Sequence, residues 1–145
     1  MAHWTADQLK AHNEKAAKKN KYGAHKVVSK GVRYDSKREL AFKQSLDMLK
    51  IPYVMKKEFV IQQDFVYCAE KVRPVKIIPD FVIMRGHISI AVVDVKGFFT
   101  DGSKLKYKLF KHYLHKLNHE IPMYFPANKK DMDETLSKIL LLLGR

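Results

Sequence analysis

Apolar residues along this chain change their spacing several times, and each change predicts an element. Thr5-Ala6-Asp7-Gln8 has the form of a capping box and opens a helix over residues 6–19, with Leu9 its one large aliphatic residue. Asp35-Ser36-Lys37-Arg38-Glu39 opens a second helix, with Ser36 at the cap and Glu39 at the third helical position. Leu40, Phe42, Leu46 and Leu49 carry that helix to Ile51-Pro52, where proline stops it. Residues 52–54 read as a short extended piece. Residues 58–67, 74–84 and 88–95 read as strands, the last two joined by a turn at Arg85-Gly86-His87. Asp101-Gly102-Ser103 leads into a helix over residues 104–118, with Leu105, Leu109, Tyr113 and Leu117 on its apolar face. Residues 121–125 form another strand, with Pro122 near its start or edge. Asp131 or Asp133 caps a last helix whose Leu136, Ile139, Leu140 and Leu143 pack inward, and Gly144 ends it. The order after an N-terminal arm is helix, three strands, helix, strand, helix. That order predicts an α/β fold, a mixed sheet flanked by helices.

The most strand-like part of the chain also holds charge. Ile78-Pro79-Asp80-Phe81-Val82-Ile83 and Val92-Val93-Asp94-Val95-Lys96-Gly97 place two carboxylates and a lysine among Val, Ile and Phe. Such charges are seldom buried unless something pairs them. Alternation along a strand puts Asp94 and Lys96 on one side and Val93 and Val95 on the other. If the two strands are antiparallel neighbours, Asp80 and Asp94 converge. Two carboxylates about 4 Å apart repel by roughly 4 kcal/mol at an effective dielectric of 20. A divalent cation between them turns that cost into binding energy, which points to metal-assisted phosphodiester chemistry. A structural Asp94–Lys96 ion pair is the plainer alternative, although buried pairs are often no more stable than apolar replacements. For Glu39 the plainer alternative is the carboxylate of a capping box.

Charge narrows the partner. The 145 residues carry a net charge of +13, with a pI of about 9.8, and this implies a polyanion. A hydrophobic fraction of 46% excludes a disordered tail. No apolar run approaches the ~20 residues that cross a bilayer, and the start lacks a signal-peptide core. A single cysteine, Cys68, excludes an intrachain disulfide and fits a reducing cytoplasm. Two basic segments flank the apolar middle. Residues 1–33 form a basic helix or arm in which Lys15, Lys18, Lys19 and Lys21 are candidate phosphate contacts; residues 34–145 form the remaining domain. Lys37, Arg38, Lys104, Lys106, Lys108 and Lys111 are further candidates for positioning a duplex without reading its sequence. His112, His115 and His119 have helical metal-ligand spacing, but a basic helix face near DNA accounts for them better. Tyr107 and Phe110 read as core or base-stacking residues.

Pro79-Asp80, thirteen intervening residues and Asp94-Val95-Lys96, on consecutive strands, resemble the PD-(D/E)xK nuclease superfamily. Glu39 occupies the place of the acidic residue that often completes such sites from the first helix. Tyr34-Asp35-Ser36-Lys37-Arg38-Glu39, Ile78-Pro79-Asp80-Phe81 and Asp94-Val95-Lys96-Gly97-Phe98 resemble phage endonuclease I-type Holliday-junction resolvases. They are closer still to a phage family of uncharacterised predicted resolvases, in which the Lys-Gly-aromatic step is followed by a Lys-rich helix. Asp94 departs from the Glu that is frequent at that place in endonuclease I relatives. The resemblance implies a restriction-endonuclease-like core and a catalytic set of Glu39, Asp80, Asp94 and Lys96. It implies Mg²⁺, with Mn²⁺ able to substitute, held by Asp80, Asp94, the Val95 carbonyl and Glu39. It also implies a homodimer that cuts branched DNA, encoded by a phage and acting in the bacterial cytoplasm. Two other readings stand beside it: a nuclease nicking mismatched or sequence-specific duplex, and a non-catalytic DNA-binding module on a nuclease-like fold.

Overall fold

A computed structural model describes Asp7 and residues 26–34, 36–96 and 99–145. Asp7 is helical; the rest of the predicted first helix, with Lys15, Lys18, Lys19 and Lys21, lies outside the described residues, as do Gly97 and Phe98. The chain divides into two units, Met1–Leu40 and Ala41–Arg145.

In the first unit β1 (Val27–Ser29) and β2 (Val32–Tyr34) pair antiparallel, with Val27 opposite Tyr34. Lys30 and Gly31 turn between them with φ of 49° and 77°, as a two-residue hairpin requires. The sequence pattern predicts no strands here, because three residues are too few to reveal a period of two. Helix α1 (Lys37–Met48) begins in this unit and continues into the second. Its start is as predicted: the Ser36 hydroxyl accepts the Glu39 N–H at 3.2 Å.

In the second unit α1 buries Phe42 and Leu46. It ends before proline is reached. Lys50 turns left-handed (φ 51°), and the N–H groups of Lys50 and Ile51 donate to Asp47 and Leu46 carbonyls. The elements that follow are β3 (Tyr53–Met55), β4 (Phe59–Gln62), β5 (Phe65–Tyr67), β6 (Glu70–Val72), β7 (Val75–Ile77), β8 (Phe81–Arg85), β9 (Ile88–Val93), α2 (Asp101–Lys116), β10 (Met123–Tyr124) and α3 (Lys129–Leu142). The fold is mixed α/β with a mixed sheet. Strand order in the main sheet is β10-β9-β8-β3, parallel between β10 and β9 and antiparallel elsewhere.

Two predicted strands are each two. The stretch over residues 58–67 splits into β4 and β5, and the stretch over residues 74–84 splits into β7 and β8. The second break falls at Pro79, which has no N–H to give a ladder. β4 pairs with β7 and β5 with β6, so the chain runs out and back through a turn at Cys68 and Ala69. Both turn residues are left-handed, with φ of 46° and 65°.

Alternation sorts the main sheet into two faces. Phe81, Ile83, Ala91 and Val93 pack with Phe42 and Leu46 of α1 and with Met132, Leu136 and Ile139 of α3. Val92 packs on the other face with Tyr107, Phe110 and Leu114 of α2 and with Ile77 of β7. The apolar face of α2 therefore differs from the predicted one. Leu105, Leu109 and Leu117 are exposed. A step of four overshoots the helical turn, so a stripe drawn from Leu105 to Leu117 winds about 120° around the axis. Alternating steps of three and four, as in Tyr107, Phe110 and Leu114, hold one line. This helix also starts earlier than predicted, at Asp101, because Thr100 caps it by accepting the Ser103 N–H at 3.0 Å. The last helix is capped by Asn128, not by Asp131 or Asp133. Asn128 has extended backbone and accepts the Asp131 N–H at 2.9 Å. Asp131 answers by accepting the Ala127 N–H at 3.2 Å, a reciprocal cap.

Candidate active site

The four chain segments that meet around Asp80 and Asp94 are fixed by backbone pairing. Phe81 lies opposite Val93 in the antiparallel pair of β8 and β9, so one step outward Asp80 lies opposite Asp94. On the far side of β9 the N–H groups of Val92, Asp94 and Lys96 donate in turn to the carbonyls of Pro122, Tyr124 and Pro126, at 2.9, 3.0 and 3.2 Å. This parallel ladder carries strand-like backbone past Val93 and aims Asp94 and Lys96 the same way. Their side chains meet at 3.0 Å, Lys96 Nζ to Asp94 Oδ2, as the alternation predicts.

Between Asp80 and Asp94 side chains replace the ladder. Asp80 Oδ2 accepts the Val95 N–H at 2.9 Å. Asp94 Oδ1 lies 3.4 Å from the Asp80 N–H, a long contact. The exchange satisfies backbone groups that Pro79 and the strand ends leave without strand partners. It also draws two carboxylates into one place where Asp80 is 8% and Asp94 6% exposed.

Two residues join them that the sequence reading does not assign to the site. Tyr107 of α2 donates its hydroxyl to Asp94 Oδ2 at 2.7 Å. Lys56, just after β3, places Nζ 2.8 Å from Asp80 Oδ1, and its backbone N–H donates to the Asp80 carbonyl at 3.3 Å. For Tyr107 a signal existed: a tyrosine on a buried helix stripe needs a partner for its hydroxyl. For Lys56 there was none, since nothing in the spacing ties it to Asp80.

The electrostatics follow from this crowding. Burial pushes the Asp80 carboxyl up to about 7, and the charge of Asp94 with a hydrogen bond shared between the two carboxyls adds to it; the Lys56 ammonium pulls the other way and does not prevail. The Tyr107 hydroxyl is raised far above its usual range, first by burial and then by Asp94. It stays a proton donor.

The other predicted residues are placed as follows. Glu39 belongs to the first unit, in the first turn of α1, and is 1% exposed. Lys37 and Arg38 are exposed beside it in sequence. Lys104, Lys106, Lys108 and Lys111 are all exposed on α2. His112 and His115 are exposed, and His115 pairs with Glu120. Among the described residues no group of three or more His, Cys, Asp or Glu side chains is placed to hold a metal ion, and no helix is long and apolar enough to cross a membrane.

Two carboxylates nonetheless fit a hard cation. Mg²⁺ is commonly held by one or two carboxylates, with waters and substrate phosphate completing its shell. Asp80 Oδ1 and Asp94 Oδ1 are the oxygens not tied to a fixed N–H or to the tyrosine at normal hydrogen-bond length.

Fold and site together define a mixed α/β protein with a buried carboxylate pair and two lysines at the ends of adjacent strands. Over residues 19–124 the chain matches the family described as protein of unknown function, DUF1064, and it belongs to that family. No curated protein and no solved structure matches it.

Proposed function

We propose that the chain is a metal-dependent endodeoxyribonuclease on a restriction-endonuclease-like core, acting on branched DNA. The observation that carries this reading is the buried Asp80–Asp94 pair at neighbouring strand ends, with Lys96 on the same face. A fold gains little stability from burying two like charges; a phosphodiesterase needs them.

In this reading Asp80 and Asp94 hold the cation, with the Val95 carbonyl as a further ligand. Glu39 is the acidic residue that the sequence pattern adds from α1. When bound, the cation polarises the scissile phosphate and makes its coordinated water more acidic. The chain's own residues do the rest. Tyr107 orients the Asp94 carboxylate by donating to Oδ2. The Val95 N–H does the same for Asp80. Lys96 carries an ammonium that orients the attacking water and stabilises charge gathering on the phosphoryl oxygens. Water adds to phosphorus as the bond to the leaving sugar oxygen breaks. Lys104, Lys106, Lys108 and Lys111 present four ammonium groups from the helix that bears Tyr107, and these hold the backbone of the duplex. Symmetric cutting of a junction requires two copies of the chain, so the homodimer is part of the proposal.

The test is incubation of the protein with a synthetic four-way junction, a linear duplex and a single strand, each with Mg²⁺ or EDTA. Mg²⁺-dependent cuts in two opposed strands of the junction are expected. Lys96→Ala and Asp94→Asn should each abolish cutting while junction binding by gel shift is largely kept. Cleavage of linear duplex without preference for the junction would move the assignment to a mismatch- or sequence-specific nuclease. Binding with no cleavage under Mg²⁺ or Mn²⁺ would reduce the protein to a DNA-binding module.

A further inference from the structure

Lys56 has an unusual backbone for its place. Of the described non-glycine residues with positive φ, Lys30, Cys68 and Ala69 turn hairpins, while Lys50 and Asn118 close helices. Lys56, at φ 53°, does neither: it leaves β3 and begins the link to β4. Left-handed backbone is unfavourable for a residue with a Cβ and tends to persist where the surroundings demand it. Here the demand is visible. Met55 lies opposite Phe81, which sets Lys56 against Asp80. The residue then touches Asp80 with both its N–H and its ammonium.

The oxygens of the two carboxylates are not equally committed. Asp80 Oδ2 takes the Val95 N–H, and Asp94 Oδ2 takes both Tyr107 and Lys96. Asp94 Oδ1 meets the Asp80 N–H at 3.4 Å, the longest of these contacts. Asp80 Oδ1 is met at 2.8 Å by the Lys56 ammonium, on a side chain that is 37% exposed. A cation held by both carboxylates would have to compete with the positive charge already on Asp80 Oδ1.

We propose that Lys56 is the resident counter-cation of this site: its ammonium holds Asp80 Oδ1 in the free protein and must leave when a divalent cation enters. The inference rests on the metal-dependent reading above and deepens it, because cation entry becomes an exchange of charges. Without a cation, Lys56 and Lys96 compensate the two buried carboxylates. With one, Lys96 stays beside Tyr107 on Asp94 Oδ2 and Lys56 is expelled by repulsion. Lys56 thereby lowers affinity for divalent cations and is a positioning residue, not a catalytic one.

The experiment is calorimetric titration of the full chain with Mn²⁺ in the absence of DNA, for the wild type, Lys56→Met and Lys56→Arg. Methionine keeps the length and apolar stem without the charge. Lys56→Met should bind Mn²⁺ about tenfold more tightly, within the usual range of coupling between two sites, and Lys56→Arg should stay close to the wild type. Equal or weaker binding by Lys56→Met would overturn the inference. A second measurement does not depend on how the methionine variant folds. The side-chain ammonium resonance of wild-type Lys56, assigned through Lys56→Arg, should move toward that of the exposed lysines as Ca²⁺ is added. A resonance that stays put while Ca²⁺ binds would remove Lys56 from this role and leave the metal reading intact. Absence of any Mn²⁺ or Ca²⁺ binding by the wild type would instead bring down the metal reading itself.

Discussion

On the Asp80 carboxyl, burial and the charge of Asp94 favour the proton and Lys56 opposes it; the balance lifts its midpoint from 3.8 to about 7. An acid whose midpoint is raised by folding binds more protons in the folded than in the unfolded state between those two values. Stability then falls as pH rises across that window. In cation-free buffer the wild type should lose stability from pH 4 to pH 7 relative to Asp80→Asn, by urea unfolding at each pH; parallel curves would refute the shift. In the proposed metal site, Mn²⁺ affinity should rise over the same window, since the cation would compete with that proton. Asp80, Asp94 and Lys96 were legible in the sequence because they interrupt apolar runs where charge is out of place. Lys56 was not, because it is one lysine among many and its role comes from a left-handed backbone and a strand register that no local pattern encodes.

Helix α2 joins the site to the basic surface. Tyr107, Phe110 and Leu114 seat it on the sheet, and the Phe110 ring also packs, tilted, against Phe59 of β4 with centroids 4.9 Å apart. Phe110→Ala should cost about 3–5 kcal/mol, as is usual for a buried phenylalanine. Leu109→Ala, one residue earlier and 44% exposed, should stay within about 0.5 kcal/mol of the wild type. Thermal unfolding of both variants distinguishes the observed face from the stripe drawn through Leu105 and Leu109. Element types were legible from periodicity, and so were the Ser36 cap and the Gly144 stop. Boundaries were less so. The Pro79 break, the Thr100 and Asn128 caps and the β1–β2 hairpin depend on one missing N–H, on single side-chain-to-backbone hydrogen bonds or on strands too short to carry a pattern.

Over the whole molecule the net charge of +13 would, in the proposed function, set the terms of nucleic-acid binding more than any single contact. Each neutralised phosphate contributes a slope of about −0.9 to the dependence of log affinity on log salt for duplex DNA. Replacing Lys104, Lys106, Lys108 and Lys111 together by alanine should flatten that slope by up to about 4 and weaken binding to junction and duplex alike. Fluorescence anisotropy over a salt series measures both. An unchanged slope would take this helix out of the interface. The mixed α/β class was legible from the order of elements, and the basic character from composition. That β8 and β9 are neighbours was not, since pairing is a long-range choice. That choice brings Asp80 against Asp94 and makes a site of separate motifs.

The interlock between those two aspartates bears on how such a protein is taken apart by mutagenesis. Where β8 and β9 part, the last rung is built from carboxylates, with Asp80 taking the Val95 N–H and Asp94 lying against the Asp80 N–H. Truncating Asp80 to alanine deletes a proposed cation ligand and also unfastens the seam that orients Val95 and Lys96. An inactive alanine variant there reports a frayed edge as readily as a missing ligand. Lys96, whose side chain touches Asp94 Oδ2 from outside the rung, is the residue at which the proposed chemistry is tested with that rung left in place.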